Sequence, residues 1–262
     1  MKFNNRNVFI SPSAQIGNNV KVGDNTTIYD NVTIGDNSII CNDCIIGEPT
    51  SAYYKDGAVY ENPATVIGAG AMIRSHNIIY AGSSFGDFLI TGHRATVREG
   101  TLVGEHCLLS TLVDIQGNCR IGNYARIYSN VHIGEKTVIG NYVFIFPYTI
   151  FTNDPQPPSE NLIGAEIGDF SVITIHCCVL PGVKVGRHCL IGANSVISRD
   201  IENYSFAVGS PAKKMGDIRK IPSKTDPQAN YYPWPEHFSR GMPWEMARYE
   251  KWLKENNPEE QF

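Results

Sequence analysis

The chain has 262 residues, 42% of them hydrophobic, and a formal net charge of −4. It is long enough to bury an extended core, and it lacks the basic excess that a nucleic-acid-binding surface requires. No apolar run approaches the length of a membrane span, and the opening MKFNNRNVFI lacks a signal-peptide core, so the cytoplasm is the expected location.

From Ile10 onward a branched or aromatic apolar residue returns every six positions. A first block runs from Ile10 to Ile46, a second from Ile67 to Phe151 and a third from Ile167 to Ile197, and of the 28 positions in this series Thr91 alone is polar. A six-residue period marks a parallel β-helix. In units such as Ile121-Gly-Asn-Tyr-Ala-Arg and Val185-Gly-Arg-His-Cys-Leu the first residue suits a buried strand, the second turns the chain, and the fifth is small. Positions one and five should therefore point inward. Three such sides make a coil of about 18 residues, and the hexads amount to roughly nine coils. Cys44, Cys107, Cys119, Cys177 and Cys189 all fall at the fifth position, which makes them core thiols and not a disulfide or metal set.

Breaks in the period come next in the chain. Residues 47–66 and 154–166 interrupt the coils, and the second insertion is rich in proline. Loops leaving a rigid scaffold are where binding residues concentrate. After Ile197 the repeat fades through Val208-Gly-Ser-Pro-Ala-Lys, so residues 1–220 form the β-helix domain. Residues 221–262 form an aromatic linker that ends in a helix expected from Pro243 to about Asn256, covering the open end of the solenoid.

In uninterrupted coils, residues 18 apart lie above one another. Asp114 and His132 meet by this rule on the outer surface, where a carboxylate orients a histidine base. Glu135 and Asn153 stack in a second column beside the proline-rich loop, with Asp154 adjacent, as candidates for substrate contact or proton relay. His76, His93, Arg94 and Arg98 form an earlier cluster suited to an anionic ligand such as a nucleotide diphosphate. His106, His176 and His188 read as surface-edge residues.

The hexads, the loop after Thr152-Asn-Asp-Pro, the run Ala193-Asn-Ser-Val-Ile-Ser-Arg-Asp and Val208-Gly-Ser-Pro-Ala-Lys together resemble the hexapeptide-repeat acyltransferases. Within that superfamily the chain most resembles the N-acetyltransferases of nucleotide-linked amino sugars, of the dTDP-3-amino-3,6-dideoxyhexose type. The resemblance implies a left-handed β-helix, a homotrimer, acetyl-CoA as co-substrate in a groove between subunits, and no tightly bound cofactor. It also implies acetyl-CoA contacts at Thr174, Ala193, Lys213 and Lys214, and sugar-positioning roles for Asn118 and Asn130. Several related families place a catalytic histidine near the Thr152 turn, where this chain has Asn153-Asp154. That departure favours an amine acceptor over a hydroxyl, which depends more on a well-placed base. An O-acetyltransferase is the alternative. A γ-carbonic-anhydrase-like zinc enzyme is less favoured, because no pair of histidines has the required close spacing.

Overall fold

The computed structural model describes residues 3–56, 59–223 and 230–256. Short strands, most of two or three residues, stack into three sheets of ten, nine and eleven strands, parallel but for the last strand of the eleven. The chain visits the three sheets in rotation, so each coil adds one strand to each face of a prism. Residues 18 apart pair directly, as in Asp114 with His132 and Ile115 with Ile133. This is the expected β-helix solenoid.

The hexad explains why the strands are so short. One residue points out, the next points in, and the chain then turns. The inward residues Ile28, Ile40, Ile73, Leu109, Ile127, Ile145 and Ile173 are each fully shielded from solvent. The small fifth-position residues bond across coils: Thr26 Oγ1 donates to the Cys41 carbonyl at 2.9 Å, and Ser171 Oγ to the Gly186 carbonyl at 2.7 Å. The inward cysteines do the same more weakly, Cys107 Sγ lying 3.1 Å from the Gly122 carbonyl. All five are buried and unbridged, and burial pushes the Cys107 thiol up to about 12. Thr91 is also buried, and its hydroxyl accepts the Arg74 amide at 2.9 Å, which accounts for a polar residue in an apolar ladder.

Each turn needs a left-handed residue, a conformation that disfavours side chains bearing a Cβ. Asn19, Asn25, Asn31 and Asn37 supply it in the first coils, with φ of 56° to 59°. Along one edge aromatic rings take over this position. Phe88, His106, Tyr124, Tyr142, Phe170, His188 and Tyr204 stack in sequence with centroids 4.6 to 5.3 Å apart. Ring stacking of about 0.5–1.5 kcal/mol per pair offsets the backbone cost.

The ends of the molecule differ from expectation. The solenoid runs past nine coils, because a further turn passes from Val196–Ile197 through Ile201 to Ser205–Val208, and Lys213–Asp217 pairs antiparallel to it. In that turn Ile201 follows Ile197 by four positions, so the six-residue count misses it. The helix spans Tyr249–Asn256, because Pro243 and Trp244 sit in tight turns before it. The tail also packs along the flank of the prism and not over its end. Trp234 Nε1 donates to the Phe170 carbonyl at 2.8 Å, and Trp244 is buried against Tyr142 and Phe170. The cause lies in the coils beneath: Phe144 and Val172 occupy outward positions of the eleven-stranded sheet and need cover. His188 is consequently buried, not at a surface edge; it contacts the Tyr232 hydroxyl, and desolvation lowers its pKa to about 3. Linker residues 224–229 and terminal residues 257–262 lie outside the described structure.

Candidate functional site

The ten-stranded sheet carries Asp114 and His132 as consecutive outward residues. His132 Nδ1 lies 2.9 Å from Asp114 Oδ2, and both side chains are about two-fifths exposed, 41% and 39%. Because the partner is a carboxylate, Nδ1 is the protonated nitrogen, which leaves Nε2 as an acceptor turned to solvent. Gln116 Nε2 also donates to Asp114 Oδ2, at 2.8 Å. These bonds, that from His132 foremost, hold the Asp114 pKa below the usual carboxylate value, with the Arg98 charge adding to them.

Where this sheet turns into the nine-stranded one, the edge adds further polar groups. Arg98 Nη2 meets Glu99 Oε1 at 2.8 Å, and its guanidinium sits over the Tyr80 ring at 5.5 Å. One coil further, Asn118 Nδ2 donates to Glu135 Oε1 at 3.0 Å. Arg98, Glu99, Asp114, Gln116, Asn118, His132 and Glu135 thus share one stretch of surface. Gln116 was not singled out from the sequence. Its signal was alternation, since residues 114 and 116 point the same way from one strand.

The two insertions leave the solenoid from this same edge. They span 49–64 and 152–165, because strands Ile45–Glu48 and Thr65–Ile67 reach further into the first gap than expected. The second loop folds back over the Glu135 coil, where Lys136 Nζ donates to the Leu162 carbonyl at 3.2 Å. Gly164 passes so close that a Cβ there would lie 2.1 Å from the Lys136 backbone, so glycine is what allows the approach. Asn153 anchors the loop through its backbone, its carbonyl accepting from Ile163 N at 2.7 Å.

Asp154 is engaged within its own loop. Its carboxylate accepts from Ser159 Oγ and N, both at 2.7 Å, and from Gln156 N at 2.9 Å, and the Ser159 hydroxyl foremost holds its pKa low. It is the internal clasp of the proline-rich loop.

His76, His93 and Arg94 lie on the opposite edge of the ten-stranded sheet, so the structure separates them from Arg98. His76 Nε2 is 4.0 Å from Asp43 Oδ2, an acidic neighbour that tempers this edge as an anion site. Asn130 occupies a left-handed turn on the same edge, φ 59°, and Asn118 one on the other, φ 50°. Farther along, Thr174 and Ala193 continue the His76 edge, and Lys213 follows at the last turn. Thr174 lines a cavity of about 470 Å³ with Leu190, Phe206, Ile221 and Tyr231. Lys214 is drawn aside into an ion pair with Glu202 at 2.8 Å. Among the described residues no group of three or more His, Cys, Asp or Glu side chains is placed to hold a metal, and no helix is long and apolar enough to cross a membrane.

The model of the bacterial transferase hexapeptide (six repeats) matches residues 6–36, 13–48, 113–147 and 164–199. The chain is 30% identical over 124 residues to an acyl-[acyl-carrier-protein]–UDP-N-acetylglucosamine O-acyltransferase of Thiobacillus denitrificans, covering 47% of this chain and 44% of that one. It is 36% identical over 130 residues to a Saccharomyces cerevisiae protein whose name provisionally assigns it to the acetyltransferases, covering 45% of this chain and 64% of that one. The chain thus spans about half the length of these relatives. A solved UDP-N-acetylglucosamine acyltransferase superposes with a TM-score of 0.49 at 20% identity, over 80% of this chain and 72% of the other.

Proposed function

Because the chain carries the bacterial transferase hexapeptide repeat, we propose that it is an acyltransferase whose reaction centre is the Asp114–His132 pair, and that it moves an acetyl group from acetyl-CoA to the amine of a nucleotide-linked amino-deoxy sugar. The single observation that carries the reading is the 2.9 Å bond from His132 Nδ1 to Asp114, which presents Nε2 outward on a flat sheet. Acyl transfer to an amine needs a neutral nucleophile near the thioester carbonyl and a route for the proton it loses. Nε2 of His132 receives that proton, Asp114 stabilises the imidazolium that results, and the imidazolium returns the proton to the coenzyme A thiolate as the C–S bond breaks. Arg98, Asn118 and Glu135 line the adjoining edge and supply donors and acceptors for the sugar. Thr174, Ala193 and Lys213 mark a track along the other edge for the coenzyme. A donor lying on one flat face would be half exposed, so this reading includes a second subunit closing the groove in a homotrimer.

Sugar O-acetylation is the second reading. A His–Asp pair is the apparatus a hydroxyl acceptor would require, so the geometry lends it weight. The test is thiol release from acetyl-CoA with dTDP- and UDP-linked 3-amino and 4-amino sugars, against the corresponding hydroxyl sugars. Release with one amine alone supports N-acetylation and identifies the acceptor. Release with the hydroxyl sugars alone transfers the assignment to the O-acetyl reading.

A further inference from the structure

The first insertion borders an open-mouthed cavity of about 390 Å³ that the acyl-transfer reading does not use. Its walls include Phe9, Tyr29, Tyr53, Tyr54, Tyr60 and Asp30. Tyr53 stands nearly perpendicular to Tyr54 and to Tyr60, at 85° and 74°, with centroids 5.2 and 5.7 Å away, so the three rings make adjoining walls. Phe9 and Tyr29 belong to the coils and line the same space from the solenoid.

The loop is held in place by Asn62, which is buried. Its amide donates to the Asp30 and Gly47 carbonyls at 3.1 and 2.9 Å, and its oxygen accepts from the Tyr60 hydroxyl at 2.8 Å. The walls are therefore built by the fold. Their electrostatics are one-sided. Asp30 uses Oδ1 to accept from Ser11 and Ser13, and Oδ2 enters no hydrogen bond among the described residues. Glu48 accepts from the Tyr54 hydroxyl at 3.2 Å, and its charge foremost raises the Tyr54 pKa. Among the described residues no lysine or arginine lines the cavity.

We propose that this cavity is an aromatic cage for an organic cation of the quaternary ammonium class. Ring faces carry the negative end of the aromatic quadrupole and attract a cation within about 6 Å. A carboxylate adds charge complementarity for a cation, and among the described lining residues it is the one charged group, which disfavours phosphates and nucleotides. A primary ammonium needs three acceptors, whereas a trimethylammonium group needs apolar, electron-rich walls, which five rings provide. The cage also lies outside the reaction centre: Tyr29 is five coils from the His132 coil, roughly 24 Å at about 4.8 Å per coil.

The probe is choline chloride, followed by saturation-transfer and chemical-shift titration by NMR. The readout is binding and not turnover, so its failure is separate from failure of the acetyl-transfer reading. Choline should bind saturably, and its neutral isostere 3,3-dimethyl-1-butanol at least about tenfold more weakly. Asp30→Asn should weaken choline about fivefold, and Tyr53→Ala about tenfold. Tyr54→Ala should also weaken it, and as that ring is 72% exposed its loss leaves the fold intact. Equal binding of the isostere, tighter binding of maltose than of choline, or no saturation by about 100 mM choline would each overturn the cage.

Discussion

Replacing Asp114 by Asn isolates the chemistry of the His–Asp pair from its packing. Asp114 Oδ2 now accepts from His132 Nδ1 at 2.9 Å and from Gln116 Nε2 at 2.8 Å. An asparagine oxygen in the place of Oδ2 can keep both bonds, and with them the packing, but it carries no negative charge. The imidazolium that forms when Nε2 takes the proton of the proposed acceptor amine then has no counter-charge beside it. General-base catalysis contributes about 10²–10⁴ in rate, and with both side chains about two-fifths exposed the lower end applies, so kcat should fall about 100-fold. KM should change little, since the pair acts as the proton moves. An exposed ion pair contributes about 0.2–1 kcal/mol to stability, so Tm should drop by less than about 3 °C. The pH sign agrees: Asp114 has a lowered folded-state pKa, so its contribution is present above the ordinary carboxylate range and is lost as pH falls through the lowered value. Thiol-release kinetics and differential scanning fluorimetry measure the two effects. His132→Ala should match Asp114→Asn in kcat, and the double variant should be no slower than the worse single one. Wild-type turnover in either single variant, or a double variant as slow as the product of the two, would show that the pair does not act as a catalytic unit.

Three other outcomes follow from the same geometry. Ile133→Ala should cost about 2–5 kcal/mol, read as a lower Tm, and Ile133→Asp should leave little folded protein by circular dichroism, because a charge would enter a fully buried ladder between Ile115 and Phe151. His188 stays neutral in the fold with a pKa near 3 but takes a proton near pH 6.5 when unfolded, so stability falls as pH drops from about 6.5 toward 3. His188→Phe should flatten the slope of Tm against pH over that window, and an unchanged slope would contradict the assignment. Asp154→Asn should speed proteolytic cleavage within residues 152–165 while kcat stays within about threefold of wild type, since the carboxylate clasps Ser159 and Gln156; the wild-type loop should loosen in the same way as pH falls through the lowered Asp154 pKa, and a 100-fold loss of kcat with unchanged proteolysis would restore Asp154 to catalysis.

The inward half of this protein was legible because a six-residue period has one physical solution. A residue such as Ile133 has no freedom in the hexad, and neither does Cys107. Register was legible for the same reason, so the Asp114–His132 contact could be placed by adding 18 to a residue number. The aromatic stack was as readable, since Phe88, His106, Tyr124 and Tyr142 follow that spacing, but the rings are scattered among polar neighbours and draw no notice one at a time. The partners of Asp154, Gln156 and Ser159, are not legible in the sequence, because they lie inside an insertion where no period operates. The tail was misplaced for a related reason. Its aromatic residues announce burial, but only the outward Phe144 and Val172 decide which surface they cover.

The hexad also explains why the candidate site residues sit where they do. Inward positions are committed to the ladder, so chemistry is confined to outward strand residues and to the turns. Outward residues on one sheet repeat every coil at about 4.8 Å, a spacing at which Asp114 and His132 meet without help from a loop. The edges then divide the labour. Both insertions leave from one edge, beside Arg98, Asn118 and Glu135, whereas no insertion leaves the Thr174 and Ala193 edge between its strands. A rigid prism with this asymmetry suits the compact acceptor and long donor of the proposed acetyl transfer. A scaffold serving only as a spacer would have no need for it.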